Sequence, residues 1–194
     1  MSKRGNELVA RLTESAQTAT ASMTADEVEA VRRYQARDRT YELVAAVLRD
    51  PKSSDDLSEE QADLVDTIVR ILSAATRRWR VPVPVAVYRG QRSLGRVFGA
   101  GPRVGRTIQP ATFLSTSISR DVALEEFAAP PGPGGPALFE VAVPAGTQGL
   151  WLPPIGDPEL AYQGELLLPR RTRLLVRGER DEAGILVLDC EVLP

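Results

Sequence analysis

An α+β fold is what the sequence predicts, on three observations. Up to about residue 80 apolar residues recur at helical spacing. From Val81 onward they fall in short runs bounded by turn residues, as strands do. The two patterns follow one another and do not alternate, which argues against a wound parallel sheet. A chain of 194 residues buries roughly 70% of its unfolded surface, so its core needs no disulfide or metal staple. The expected organisation is a flexible extension over residues 1–22 and a single domain over 23–194, helical from 23 to 80 and mainly β from 81 to 194.

Residues 1–22 are polar, rich in Ser, Thr and Ala, and only loosely periodic, hence an extension or a frayed helix. Thr24-Ala25-Asp26-Glu27 is a capping box: Thr24 caps the helix and Glu27 reaches back. Val28, Val31 and Tyr34, then Tyr41, Val44, Val47 and Leu48, predict two helices broken near Asp38. After a polar loop from Pro51 to Asp56, Leu57-Ser58-Glu59-Glu60 opens a further helix with the stripe Leu64, Ile68, Ile71, Leu72. It ends on Arg77, Arg78 and Arg80, cations suited to a helix C-terminus. Strands are expected over 85–88, 137–143, 148–152, 165–168, 174–176 and 185–192, with one short helix over 120–128. The run Pro130-Pro131-Gly132-Pro133-Gly134-Gly135-Pro136 can only be a loop.

Composition narrows the chemistry. The sequence has no histidine, which removes Ser-His-Asp catalysis, His metal sites and His pH switches. The single Cys190 lies in an apolar run and reads as a core thiol, not a nucleophile. Carboxylates, amides, hydroxyls and arginine are left to carry any reaction. Nearly all the basic charge is arginine, Lys3 and Lys52 being the lysines, and a formal net charge of −2 gives no global argument for nucleic acid or membrane binding. Residues 1–22 lack the apolar segment of a signal peptide, and nowhere do 18 apolar residues run together. The expectation is a cytoplasmic protein, or one exported by a route without a cleavable signal.

One stretch carries more chemistry than any other: Tyr162-Gln163-Gly164-Glu165-Leu166-Leu167-Leu168-Pro169-Arg170. It sets an amide and a carboxylate two residues apart ahead of a buried strand, and in extended backbone Gln163 and Glu165 share a face. Upstream stand Tyr88-Arg89-Gly90 at a strand end and Phe113-Leu114-Ser115-Thr116-Ser117 in another strand. This ordered set, Arg, then Ser-Thr-Ser, then Gln-x-Glu, resembles the mono-ADP-ribosyltransferases of the Arg-Ser-Glu class, bacterial toxins and exoenzymes among them. The resemblance extends over roughly residues 23–194. Tyr34, Tyr41 and Leu48-Arg49 are similar to the family's helical region, Ala123 and Phe127 follow the serine motif as they do there, and Leu-Leu-Pro-Arg follows the glutamate.

The resemblance implies two small packed antiparallel sheets forming an NAD cleft, with helices on the N-terminal side, NAD as co-substrate and no metal. It implies that Glu165 binds the ribose 2′-hydroxyl while the nicotinamide–ribose bond breaks through an oxocarbenium-like sugar. Arg89 then holds an NAD phosphate with its planar fork, Gly90 lets the backbone approach the nicotinamide amide, and Ser115 orients Glu165 with Thr116 and Ser117 shaping the strand beneath. Phe127 stacks on nicotinamide or belongs to the core. Arg49 meets the other phosphate or is a salt-bridged helix arginine. Two departures stand out: Ala45 replaces a frequent Asn, and the loop after Phe127 has no arginine, so that Arg92 or Arg96 has to substitute or NAD is held weakly.

Gln163 bears on the acceptor. Arginine-modifying members usually carry Glu there, whereas Gln-x-Glu members modify Asn or Gln side chains of proteins, or guanine. The expected acceptor is therefore not arginine, and a protein amide leads. Leu160 and Tyr162 sit where the family meets its target, although core packing fits them equally. Three alternatives stay open: an NAD glycohydrolase, a nucleic-acid ADP-ribosyltransferase using Arg77, Arg78, Arg80, Arg170, Arg171 and Arg173 on phosphates, and an idle NAD-binding or interaction module. The sequence names neither the target nor any antidote (immunity) protein, and no membrane partner is expected.

Overall fold

Helix α1 (Lys3–Thr20) occupies the segment expected as an extension, and it is packed. Leu12 and Ala16 are completely buried against the sheet core. Both tryptophans tie themselves to this helix: Trp79 donates its indole N–H to Ser15 Oγ and Trp151 donates to Thr13 Oγ1, each at 3.0 Å. The polar character that suggested an extension is therefore used, because buried indoles need acceptors and the Ser and Thr hydroxyls of α1 supply them. The computed structural model describes residues 3–98, 102–132 and 134–194, without the side chains of residues 3, 4, 95 and 96.

Helix α2 (Ala25–Gln35) starts at the predicted capping box, with Glu27 N donating to Thr24 Oγ1 at 3.2 Å and Thr24 N donating to Glu27 Oε2 at 3.0 Å. The chain breaks at 36–39, where Arg39 takes a left-handed φ of 65°, and resumes in α3 (Thr40–Arg49). Helix α4 (Glu59–Arg78) opens on a second capping box, Ser58 with Gln61. Its stripe Val65, Ile68, Ile71, Leu72 meets Val31, Tyr34 and Val44 of α2 and α3, and that cluster continues onto Leu150, Leu152 and Leu167 of the sheet. Of the arginines expected to close α4, Arg78 pairs with Glu27 at 2.6 Å, whereas Arg80 lies beyond the helix, in strand, and donates to Gly146 O at 2.9 Å.

The remaining elements are mostly strands: β1 (Trp79–Arg80), β2 (Val85–Gln91), β3 (Thr107–Ile108), β4 (Leu114–Ser117), β5 (Ala137–Val143), β6 (Gln148–Trp151), β7 (Glu165–Leu168), β8 (Leu174–Glu182) and β9 (Ile185–Val192). Two short helices, α5 (Gly95–Phe98) and α6 (Arg120–Val122), interrupt them, and α6 runs into a π-helical turn, Ala123–Phe127. Among the described residues the strand order is β1-β6-β7-β4-β2-β5-β9-β8-β3. The order is continuous, yet β2 and β4 share one residue pair, Tyr88 with Ser117, so two sub-sheets meet at a narrow seam. One pairing departs from the expected antiparallel pattern: β5 and β9 run parallel, Phe139 opposite Leu188, because the β8–β9 hairpin inserts β9 beside β5. That hairpin is longer than the apolar run suggested, since its outer half is built from charged residues. Cys190 lies buried in β9, and burial pushes its thiol up to about 12, as a core thiol requires.

No helix of the described residues is long and apolar enough to cross a membrane. At the far end of β7 from Glu165, an open groove of about 510 Å³ is lined by Arg80, Arg170, Arg171 and Arg173. Arg173 there donates to the Pro194 carbonyl at 3.3 Å.

Candidate active site

The seam between the sub-sheets collects the predicted residues. In the β4–β7 ladder Ser117 stands opposite Glu165 and Ser115 opposite Leu167, so Ser115 and Glu165 are diagonal neighbours on one face. That separation is within reach of a glutamate side chain. Ser115 acts on the Glu165 carboxylate, favouring its ionised form, and its Oγ lies 3.2 Å from the Tyr34 hydroxyl. Arg89, one residue past the Tyr88–Ser117 pair, donates from Nη1 to the Ser115 carbonyl at 2.9 Å. Arginine, serine and glutamate are thus brought side by side, Arg89 bonded to the Ser115 backbone and Glu165 diagonal to Ser115, although 76 positions separate the first from the last in sequence.

Glu165 is only 5% exposed. Burial raises its carboxyl above the usual carboxylate range, while the hydrogen bonds from Gln35 and Ser115 and the charge of Arg89 pull the other way. Gln35 is a site residue that no sequence motif marks. The last residue of α2, it donates from Nε2 to Glu165 at 2.8 Å and accepts from Asp157 N at 3.0 Å through Oε1. Its one sequence signal is adjacency to Tyr34, which lies in the helical stripe and in the tyrosine pattern similar to the family's helical region. Tyr34 packs edge-on against Phe113, and burial, with Glu165 nearby, pushes its phenol up to about 12.

Arg89 is half-buried, and burial lowers its guanidinium from the ordinary range; the charge of Arg49 acts in the same direction. The charge of Glu165 acts on Arg89 in the opposite direction. Arg92, offered as a substitute phosphate ligand, pairs with Glu42 at 3.4 Å, and the Arg96 side chain lies outside the described residues. Among the described residues there is no cluster of acidic, Cys or His side chains able to hold a metal.

Several expected placements need correction. Gln163 and Glu165 do not share a face of one extended strand. Gln163 closes a 3₁₀ turn (Pro158–Gln163), Gly164 is left-handed at φ 51°, and the strand begins at Glu165. Both side chains are nevertheless buried, Gln163 at 8% exposure, and they turn to different partners: Gln163 donates from Nε2 to Glu126 Oε2 at 2.7 Å. Thr116 faces the opposite side from Ser115, fully buried, with its hydroxyl given to Leu166 O at 2.7 Å. It fastens β4 to β7 and does not line the site. Leu160 is a core residue, whereas Tyr162 is 61% exposed and donates to both oxygens of Glu126 at 2.9 and 3.1 Å. Phe127 is half-buried against a small cluster of Ala123, Leu138 and Val187. Gly90 also meets a packing demand: a Cβ there would sit 2.0 Å from Ala123 O and 2.5 Å from Ala128 N, where the π turn crosses β2.

Residues 11–184 match a family described as ADP-ribosyltransferase exoenzyme. No curated protein matches the sequence. Among solved structures, an ADP-ribosyltransferase toxin from Paenibacillus larvae superposes with a TM-score of 0.75 at 17% identity, covering 98% of this chain and 97% of that one. An ADP-ribosyltransferase from Clostridium botulinum gives 0.71 at 15% identity, over 100% of this chain and 96% of the other. A protein from S. aureus, solved with NAD, gives 0.71 at 18% identity over 95% of this chain and 94% of the other. At these identities the structural likeness is one of fold.

Proposed function

The chain belongs to the ADP-ribosyltransferase exoenzyme family and is an NAD-dependent transferase, and on that premise we propose that it cleaves NAD at the nicotinamide–ribose bond and passes ADP-ribose to a protein side-chain amide. The observation that carries the reading is the juxtaposition of Arg89, Ser115 and Glu165 at the seam, with a buried carboxylate that Gln35 holds. In this reading Glu165 receives the ribose 2′-hydroxyl proton in a hydrogen bond. As the C1′–N bond lengthens and its electron pair leaves with nicotinamide, positive charge grows on the sugar and the interaction with the carboxylate strengthens. Such a gain exists only in the transition state and so accelerates the reaction. Gln35 holds the carboxylate by a hydrogen bond, with Ser115 beside it, which fixes its direction before NAD arrives.

Arg89 and Arg49 form the cationic side of the site and suit the diphosphate of NAD. Gln163, an amide where an arginine-modifying enzyme usually has a carboxylate, favours an uncharged amide acceptor. The acceptor nitrogen then forms the new bond to C1′ and releases one proton to solvent. Biotinylated NAD incubated with the protein and a whole-cell lysate tests the reading. Label on protein bands that survives nuclease and neutral hydroxylamine supports it. Label lost to nuclease makes nucleic acid the acceptor, and free ADP-ribose without labelled macromolecule makes the protein a glycohydrolase.

A further inference from the structure

Gln163 does not stand alone at the acceptor side, and its companion determines what it offers. Glu126 projects from the π turn Ala123–Phe127, accepts from Gln163 Nε2 at 2.7 Å, and accepts from the Tyr162 hydroxyl at 2.9 and 3.1 Å. A carboxylate accepts hydrogen bonds and does not donate them, so the amide nitrogen of Gln163 must face Glu126 and its Oε1 must face away. Among the described residues nothing donates to that Oε1. The turn is itself held in place, because Gly90 lets its backbone lie directly on β2 at a spacing that any side chain would prevent. π turns occur frequently at functional sites, and Glu126 projects from this one toward Gln163.

Resting on the transferase reading above, we infer that Glu126 is a positioning residue that sets the direction of Gln163, so that the site presents a carbonyl oxygen to the incoming acceptor and selects an N–H-bearing group. A glutamine free to flip would present its NH₂ as often as its oxygen, and the NH₂ repels an attacking amide nitrogen through its hydrogens. Held by Glu126, the amide offers only the oxygen, which accepts one N–H of the nucleophile and turns the nitrogen lone pair toward C1′. Tyr162 steadies Glu126 from the exposed side. The carboxylate expected at position 163 in arginine-modifying enzymes is thus present nearby, but it acts on the acceptor through an amide.

The test compares Glu126→Ala, Glu126→Gln, Gln163→Ala and the Glu126→Ala/Gln163→Ala double variant in the full chain. Two rates are measured: transfer of biotinylated ADP-ribose to total lysate protein, and release of nicotinamide in buffer without lysate. Glu126→Ala is expected to lower the ratio of transfer to release at least ten-fold. Glu126→Gln, whose own Oε1 can accept from Gln163, restores at least half of that loss, and the double variant falls no further than Gln163→Ala alone. An unchanged ratio in Glu126→Ala, additive losses in the double variant, or no recovery in Glu126→Gln overturns the inference while leaving the transferase reading intact. A native protein that releases nicotinamide but labels no macromolecule overturns both.

Discussion

Gln35 and Glu165, 130 residues apart, are joined by a 2.8 Å hydrogen bond, and the same glutamine caps Asp157 N from its other end. One side chain from the helical half therefore holds both the buried carboxylate and the turn that leads into it. The space around it is tight, since a Cβ at Gly156 would fall 2.0 Å from its Oε1. Helix α2 thus contributes a side chain to the candidate site.

Removing this bridge separates two effects. Gln35→Ala strips a donor from Glu165 and an acceptor from Asp157 N, which should cost about 1–3 kcal/mol of stability by leaving buried groups unpaired. Gln35→Glu keeps an acceptor for Asp157 N but sets a second carboxylate against Glu165, which raises the carboxyls further. The acid limb of the rate profile for nicotinamide release should then move to higher pH in Gln35→Glu. An unshifted limb would show that Gln35 does not face the working carboxylate.

Glu165→Gln should lower ADP-ribose transfer by about 10²–10³ and, at neutral pH, stabilise the fold. Burial raises the folded-state carboxyl above its unfolded value, so between those two values the folded chain holds more protons than the unfolded one. Stability therefore falls as pH rises through that window, and the ionised group carries a constant penalty above it. The glutamine variant escapes that penalty. Thermal melts at neutral pH should place the variant above the native protein, and the gap should close at a pH below about 4, where the unfolded carboxyl is also protonated. A variant less stable at every pH would overturn this account.

What the sequence reveals and what it conceals divide along the range of the contacts involved. The capping box at Thr24, the opening Leu57-Ser58-Glu59-Glu60 and the helix stripes are local patterns, and they mark where α2 and α4 begin. Arg89, Ser115 and Glu165 can be singled out because each sits in a short motif, and pairing across the seam brings them together. Gln35 and Glu126 carry no local pattern; their roles exist only after the chain folds, through contacts 130 and 37 residues long. The Gln163–Glu165 geometry escapes period-two reasoning because Gly164 adopts a left-handed conformation between them. Helix α1 escapes it because its polar residues bond the two tryptophans, which inverts the usual link between polarity and exposure.

Leu12 tests that last point. Were residues 1–22 an appendage, Leu12→Ala would leave stability unchanged. Fully buried in the sheet core, it should cost about 2–5 kcal/mol instead. Urea unfolding followed by tryptophan fluorescence measures this directly, since both indoles are bonded to α1.

Cys190 should resist thiol reagents in the native protein. It is buried, and its thiol is pushed up to about 12, so almost no thiolate exists at neutral pH. Labelling should proceed at the rate of opening or unfolding and accelerate with denaturant in parallel with loss of the fold. Rapid stoichiometric labelling in native buffer would contradict the placement of β9.

Gly90→Ala is the sharpest packing test, because it separates the structural role of this glycine from the cofactor role suggested by its place after Arg89. The added methyl would lie 2.0 Å from Ala123 O, 2.5 Å from Ala128 N and 2.8 Å from Phe127 C. All three are backbone atoms, so no flexible side chain can move aside, and the π turn has to lift off β2. A strain of about 1–3 kcal/mol or more is expected, read as a lowered urea midpoint. Lifting the turn also carries Glu126 away from Gln163, so transfer to protein should fall further than nicotinamide release does. Undiminished stability with weakened NAD affinity would instead show that the glycine serves the cofactor and that the turn does not rest on it.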